Sequence, residues 1–202
     1  MSGIVSRYIW YNFVLVNNVY KECIDMANIR EYQGVTPKID PSSYIDASAV
    51  VIGKVTVGRN SSVWCNVVAR GDVSFIKIGD NTNIQDLTML HVTHYHPERS
   101  IETPLIIGNN VTVGHSCCIH ACTIKDNVLV GMGSTLLDGC IIEKNVFIGA
   151  GSLVPANKVL ESGYLYFGNP LKQVRKLTEA EIDHIAYSAE HYVNVMNTHK
   201  GA

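Results

Sequence analysis

Three histidines, His91, His115 and His120, are the residues whose type and spacing best fit metal chemistry. Imidazole nitrogens bind zinc and similar divalent ions, and three of them with an open water position form a catalytic zinc site. The water of such a site is the nucleophile in hydration and hydrolysis reactions. We therefore expect about one Zn²⁺ per chain, with Fe(II) or Co(II) as alternatives, provided that the fold brings the rings together.

An internal repeat predicts a fold that could do this. An aliphatic or small residue returns at every sixth position in triplets between residues 39 and 154, eighteen times in all. A period of six fits neither an amphipathic helix nor a plain alternating strand, but it fits short parallel strands with a corner every six residues. We predict an all-β solenoid of about six triangular turns. Its inward residues are Ile39, Ile45, Val51, Val57, Val63, Ala69, Ile78, Ile84, Leu90, Ile107, Val113, Ile119, Ile124, Val130, Leu136, Ile142, Ile148 and Val154.

The repeat is interrupted twice. Its triplets begin at residues 39, 57, 78, 107, 124 and 142, so one turn carries three extra residues near 70–77 and another about eleven near 92–104. We expect both excesses to form loops outside the coil. An ordinary β-sandwich with accidental spacing is the alternative, and eighteen positions in register weigh against it.

The repeat also predicts where the histidines lie. Neighbouring turns are about 4.8 Å apart, and the residue after each inward position points outward. His91 and His120 both follow inward residues of the third face, so they should be neighbours on adjacent turns. His115 shares a column with Asp86 on another part of the triangle. A threefold oligomer would bring a neighbour's His115 to the other two rings, so we expect a homotrimer with the metal at the subunit interfaces.

Polar residues surround this predicted site. Arg70 lies one turn before His91 in the same outward column, and Asp72 follows it by two residues. Gln85 and Asp86 follow an inward residue of the second face. On a face buried in an oligomer, Arg70 would need an acidic partner across the interface. A local pair between Arg70 and Asp72 is the alternative.

These motifs resemble the signature of the γ-class carbonic anhydrases. The resemblance rests on Arg70-Gly71-Asp72, on Asn83-Ile84-Gln85-Asp86 and on the five-residue step from His115 to His120, and it covers roughly residues 30–196. It is strongest to the small bacterial γ-carbonic-anhydrase-like proteins. It implies a left-handed parallel β-helix of hexapeptide repeats, a homotrimer with interfacial metal, and hydration of CO2 to bicarbonate.

The resemblance also implies roles for individual residues. Gln85 would hydrogen-bond the metal-bound water, and Asp86 belongs to the same site motif. Arg70 and Asp72 would pair across the subunit interface. Tyr192 begins a segment that resembles a Tyr-x-Asn near the family's site, although on a helix it could instead pack against the coil.

Two departures from the family pattern concern proton transfer. Prototype members carry one Glu directly after the Arg-x-Asp motif and another three residues after the first metal-binding histidine. Val73 and His94 stand at these positions here. Histidine moves protons near neutral pH and valine does not. We therefore expect weak CO2 hydration, with His94 or the nearby His96 of the predicted inserted loop as the proton shuttle.

Three other functions stay open from the sequence, because fold alone does not decide function. A hexapeptide-repeat acyltransferase would bind acyl-CoA and use a single histidine as general base. A metal-binding trimer could be purely structural. The same metal site could also hydrolyse thioesters. Bound zinc would count against the acyltransferase, and bound CoA would favour it.

The two ends of the chain differ from the repeat. Thr178, followed three residues later by Glu181, predicts a capping box that starts a helix over about 179–196. We divide the chain into an N-terminal extension of unknown role (1–25), a β-helix domain with the inserted loop (26–177) and a C-terminal helix packed on that domain (178–202).

The composition excludes several classes of protein. The 202 residues are 47% apolar and 17% charged, which is enough apolar material for a sizeable core and too much for a disordered chain. A net charge of −2 gives no electrostatic reason for a nucleic-acid or membrane-surface partner. Six cysteines, no secretory signal and no CxxC pair predict free thiols and a cytoplasmic location.

Overall fold

The computed structural model describes residues 28–95 and 103–201, so the predicted extension of residues 1–25 lies outside the described residues. The described chain is a parallel β solenoid with one C-terminal helix. Its strands are β1 (Asn28–Arg30), β2 (Lys38–Ile39), β3 (Tyr44–Ile45), β4 (Val50–Val57), β5 (Ser62–Val63), β6 (Val68–Ile78), β7 (Asn83–Ile84), β8 (Met89–His91), β9 (Leu105–Ile107), β10 (Thr112–Val113), β11 (Cys118–His120), β12 (Thr123–Ile124), β13 (Val128–Val130), β14 (Thr135–Leu136), β15 (Ile141–Ile142), β16 (Val146–Ile148), β17 (Leu153–Val154), β18 (Val159–Leu160), β19 (Tyr164–Phe167) and β20 (Lys172–Lys176), and the helix is α1 (Glu179–Lys200).

The strands stack in register on three faces, as the repeat predicts. On the second face, Val113 pairs with Val130, and Val130 pairs with Ile148. The coil makes about seven turns, because β18 and β19 continue it beyond the predicted repeat with buried Leu160 and Tyr166. The predicted parallel solenoid is confirmed, and its left hand stays a prediction.

The core lies inside the coil and consists of the sixth-position residues. Sixteen of the eighteen predicted inward residues are buried, while Ile39 and Ile45 of the first turn are half-buried and pack against the core. Many corners are turned by asparagines with positive φ, such as Asn81 and Asn110, a conformation that asparagine tolerates better than most residues. The Asn81 amide donates to the Asn110 side-chain oxygen at 3.2 Å, so the corners also bond to one another.

The two interruptions of the repeat have different structures. The three extra residues near 70–77 form no loop, so that expectation was wrong. β6 runs through the corner beside β4 and stays paired with it. The pairing register shifts between the pairs Gly53–Gly71 and Val55–Ile76, where β6 has more residues than β4. The backbones approach closely there, since a Cβ on Gly53 would lie 2.6 Å from the Gly71 carbonyl oxygen. The excess is thus a bulge inside a continuous strand.

The second interruption falls between β8 and β9, where the sequence places it. β8 ends at His91 and β9 begins at Leu105. An antiparallel bridge between Thr93 and Thr103 joins the two ends of this segment. Residues 96–102 lie outside the described residues.

The C-terminal helix begins at the predicted capping box and ends four residues later than predicted, at Lys200. The Thr178 hydroxyl accepts from the Glu181 N–H at 3.3 Å, and the Glu181 carboxylate accepts from the Thr178 N–H at 2.9 Å. The buried residues of α1 are Ile185, Ala189 and Met196. In the part of the chain that the structure describes, no helix is long and apolar enough to cross a membrane.

The coil core can be tested on one strand. Ile142 is fully buried and its neighbour Ile141 in β15 is half-buried and faces outward. We expect Ile142→Ala to lower the free energy of unfolding by about 2–5 kcal/mol through lost burial and a cavity. Ile141→Ala should cost clearly less. Chemical denaturation of both variants checks this, and equal losses would contradict the predicted inward register.

Candidate metal centre

His91 and His120 lie side by side on the third face, as predicted. They end strands β8 and β11 and are directly paired in the sheet. The His91 Nδ1 and His120 Nε2 atoms are 3.0 Å apart, and both side chains are mostly buried. The parallel register of two short strands therefore brings two ring nitrogens to one point.

A carboxylate holds the other nitrogen of each ring. Asp72 Oδ1 lies 3.2 Å from His91 Nε2, and Asp138 Oδ1 lies 2.6 Å from His120 Nδ1. Ionised carboxylates only accept hydrogen bonds, so each one favours the tautomer with its proton on the far nitrogen. The lone pairs of His91 and His120 then face each other.

This arrangement fits a divalent ion. Two lone pairs at 3.0 Å repel one another unless positive charge lies between them. Two nitrogens bound tetrahedrally to zinc at about 2.0 Å are about 3.3 Å apart, close to the separation seen here. Imidazole with a carboxylate behind it is also the usual environment of a metal-binding histidine. We conclude that the donor atoms present suit zinc, iron or cobalt.

The local electrostatics keep the required protonation states. Burial, aided by Arg70 and His120, lowers the pKa of His91 despite its bond to Asp72, and a metal ligand must be neutral. Burial alone would raise the pKa of Asp72, but bonds from Arg70, the Val73 N–H and His91 outweigh it and lower that pKa. In the same way, bonds from Thr93 and His120 outweigh burial and lower the pKa of Asp138.

His115 lies on another part of the triangle, at the corner after the second face. Its Nδ1 is 2.7 Å from Asp86 Oδ2, one turn earlier, which leaves Nε2 available as a donor to an ion. Among the described residues of one chain, no three His, Cys, Asp or Glu side chains are grouped where they could hold a metal. His115 is therefore not part of the His91–His120 cluster within one chain.

Gln85 and His115 line one cavity of about 620 Å³ between the second face and α1. Gln85 is buried, and its amide donates to the Asn83 side-chain oxygen at 3.1 Å. Asn83 donates in turn to Thr112 at 2.9 Å, so the amide is held in a polar network. The rest of the cavity wall is mostly apolar and includes Leu129, Val130, Met132, Phe147, Ala150, Leu165, Phe167 and Val174.

The remaining predicted residues fall around these groups. Arg70 bonds to Asp72 within the chain, which is the local pair left open by the sequence. His94 is exposed directly after Thr93, and Val73 is exposed beside Asp72. Arg70, Val73 and His94 therefore lie near His91, either along the chain or in space.

Tyr192 packs against the coil, which is the alternative that the sequence left open. Its ring meets Trp64 edge-on with ring centroids 5.8 Å apart, so the tyrosine helps to fasten α1 to the coil. Burial, followed by the negative charge of Asp86, raises its pKa. Tyr192 is thus a packing residue, and it lies close enough to Asp86 for the carboxylate charge to raise its pKa.

Sequence reasoning missed Asp138 and Thr93. Asp138 comes 18 residues after His120, which is one turn of the coil, so the turn length applied to carboxylates could have found it. Thr93 carries no such signal, because its hydroxyl contacts Asp138 from 45 residues away in the sequence, a separation that is not a whole number of turns.

Comparisons with known proteins agree with this fold. Residues 121–156 match the family described as "Bacterial transferase hexapeptide (six repeats)". The chain is 55% identical to protein YrdA of Escherichia coli over 82% of this chain and 90% of that protein. It is 47% identical to the mitochondrial gamma carbonic anhydrase 2 of Arabidopsis thaliana over 81% of this chain and 59% of that protein. A hexapeptide transferase family protein from Anaplasma phagocytophilum superimposes with a TM-score of 0.79 at 40% identity, over 85% of this chain and 98% of that one.

Proposed function

Because the chain belongs to the γ-carbonic-anhydrase-like family of hexapeptide-repeat proteins, we propose that it is a metalloprotein that hydrates CO2 to bicarbonate. The observation that carries the proposal is the pair of ring nitrogens on His91 and His120, 3.0 Å apart with a carboxylate behind each ring. Zinc is the proposed ion, with Fe(II) or Co(II) as alternatives.

Each residue of the site has one task in this proposal. His91 and His120 of one subunit and His115 of a neighbour hold the ion, which would supply hydroxide near neutral pH. The carboxylates behind the rings keep each donor nitrogen unprotonated. Gln85, already fixed by Asn83, orients the nucleophile through its amide. His94 carries the released proton to solvent.

The homotrimer is part of the same proposal. His115 is apart from the other two histidines, so a complete three-histidine site needs a second subunit. Large apolar side chains near this corner are exposed in the single chain, among them Met132 at 57%, which supports contact with a neighbour. A cytoplasmic location is likewise proposed, on the free thiols of the described cysteines.

Metal analysis with stopped-flow CO2 hydration tests this function. We expect about one divalent ion per chain, a trimer by light scattering, and hydration that a chelator removes. Gln85→Ala should lower kcat about 10-fold or more while metal content stays full, since it removes the group that orients the nucleophile and leaves the three proposed ligands unchanged. Gln173→Ala, on the exposed strand β20, is the matched control. A stable monomer with full metal content would contradict the interfacial site.

Thioester hydrolysis is a second candidate, and the apolar cavity favours it. In the single chain the cavity of about 620 Å³ is far larger than a three-atom substrate needs, and an acyl chain would fit its apolar wall. Water would add to the carbonyl carbon, the C–S bond would break, and the thiol would leave with a proton. Assays of the metal-loaded protein with acyl-CoA esters of increasing length decide between the two. Transfer of the acyl group without hydrolysis would instead favour the acyltransferase.

A further inference from the structure

Asp138 lies just after β14, one turn beyond His120, and its two carboxylate oxygens have different partners. Oδ1 lies 2.6 Å from His120 Nδ1. Oδ2 accepts a hydrogen bond from the Thr93 hydroxyl. One half-exposed side chain therefore joins a proposed metal ligand to the segment that follows β8.

Thr93 is the base of that segment. Its N–H donates to the Thr103 carbonyl at 3.2 Å, so Thr93 is bonded to the residue at which the described chain resumes. His91 precedes Thr93 by two residues, and His94, the proposed proton shuttle, follows it directly. A residue that holds Thr93 therefore also restricts where His94 can lie.

In the part of the chain that the structure describes, Asp138 stacks on the next turn of the coil through its backbone and not through its carboxylate. The stacking bond at this position uses the backbone, because the Asn157 N–H donates to the Asp138 carbonyl at 2.9 Å. Asp126 is a useful contrast. Its carboxylate accepts from the Asn109 backbone N–H at 2.7 Å and so supports a corner of the coil. Among the described residues, the hydrogen bonds between the Asp138 carboxylate and other side chains go instead to His120 and Thr93.

We propose that Asp138 is a positioning residue that sets the ring orientation and tautomer of His120 and holds the base of the His94 segment. The proposal rests on the proposed metal function and adds a residue that couples metal affinity to proton delivery. A carboxylate at Nδ1 leaves Nε2 as the donor atom and makes it a stronger ligand. The same carboxylate ties Thr93 in place, so losing it should affect both steps.

Metal affinity of the full-length protein tests the first half. We expect Asp138→Ala to weaken Co(II) binding, measured by competition with a chelating dye, by about 10–100-fold. Asp138→Asn should recover part of this, because its amide oxygen can still accept from Nδ1. Asp126→Ala is the control for a lost carboxylate and should lower thermal stability without changing Co(II) affinity. An Asp138→Ala protein with unchanged Co(II) affinity and visible spectrum would overturn the proposal.

NMR of the metal-free protein separates this proposal from the proposed function. The His120 ring should be in the Nδ1–H form in the unmodified chain and shift towards Nε2–H in Asp138→Ala. An unchanged tautomer would overturn the role of Asp138 whatever the metal content. A chain that shows the tautomer shift but binds no metal would overturn the metal function and leave the positioning of His120 supported.

Thr93→Val tests the second half. It removes the hydrogen bond between residue 93 and Asp138 and keeps the contact of Asp138 with His120, so Co(II) affinity should stay within about twofold. CO2 hydration should slow by about 10-fold or more and recover with imidazole buffer. Unchanged hydration in Thr93→Val would overturn the link to proton delivery.

Discussion

The His115→Ala variant should lose its metal as completely as His91→Ala, although the two histidines are apart within one chain. Each supplies one of three proposed ligands, and removing a ligand should weaken binding by more than the about 10–100-fold that loss of a supporting residue costs. Metal content after gel filtration checks this. His184→Ala, which removes an exposed histidine of α1, should keep full metal. Full metal in His115→Ala would show that the interfacial site is wrong.

A mixture of the two variants gives a sharper test of where the ligands come from. In a mixed trimer, a His115→Ala subunit still provides His91 and His120, and a His91→Ala neighbour still provides His115. Random assembly of equal amounts should therefore restore about a quarter of the sites, as the symmetry of a trimer requires. If all three ligands came from one chain, no mixture would restore any metal.

Restoring acidic side chains at positions 73 and 94 should raise the rate of CO2 hydration. The double variant Val73→Glu/His94→Glu places carboxylates directly after Asp72 and Thr93, at two positions that are exposed in the single chain. General acid–base transfer contributes about 10²–10⁴-fold, so we expect a rise of about 10-fold or more without added buffer. Stopped-flow assays with and without imidazole provide the measurement.

The response to imidazole is the internal check on this result. Imidazole carries protons in place of a slow shuttle, so it should accelerate the unmodified chain more than the double variant. Val159→Glu adds a carboxylate at an exposed valine of β18, outside the proposed site, and should change neither rate. A metal-loaded trimer with no hydration, no response to imidazole and no response to the substitutions would favour a structural or thioesterase role.

The amino-acid sequence by itself determined the coil and the stacking of the paired histidines. A hexapeptide repeat is a local pattern in which each inward residue must be buried, so the register of one turn predicts the next. That is why His91 and His120 could be predicted to pair although they are 29 residues apart. A second local pattern, the capping box of Thr178 and Glu181, predicted the start of α1. Each of these predictions depends on short-range patterns that tertiary contacts reinforce.

Counting residues could not show which structure the three extra residues near 70–77 adopt. The count says that three residues are extra, but only the close approach of Gly53 and Gly71 shows that the strands stay paired through the corner. The same limit applies to Arg70, whose partner in one chain is the local Asp72. Both depend on how neighbouring backbones and side chains fill a particular corner.

Only the tertiary structure decided which groups stand behind the histidines. Asp138 and Thr93 are 45 residues apart in the sequence, and their side chains meet beside His120. Side-chain rotamers then select Asp72 for His91 and Asp138 for His120. A repeat specifies which residues share a column, but hydrogen bonds between columns depend on rotamers and loop paths that no repeat encodes.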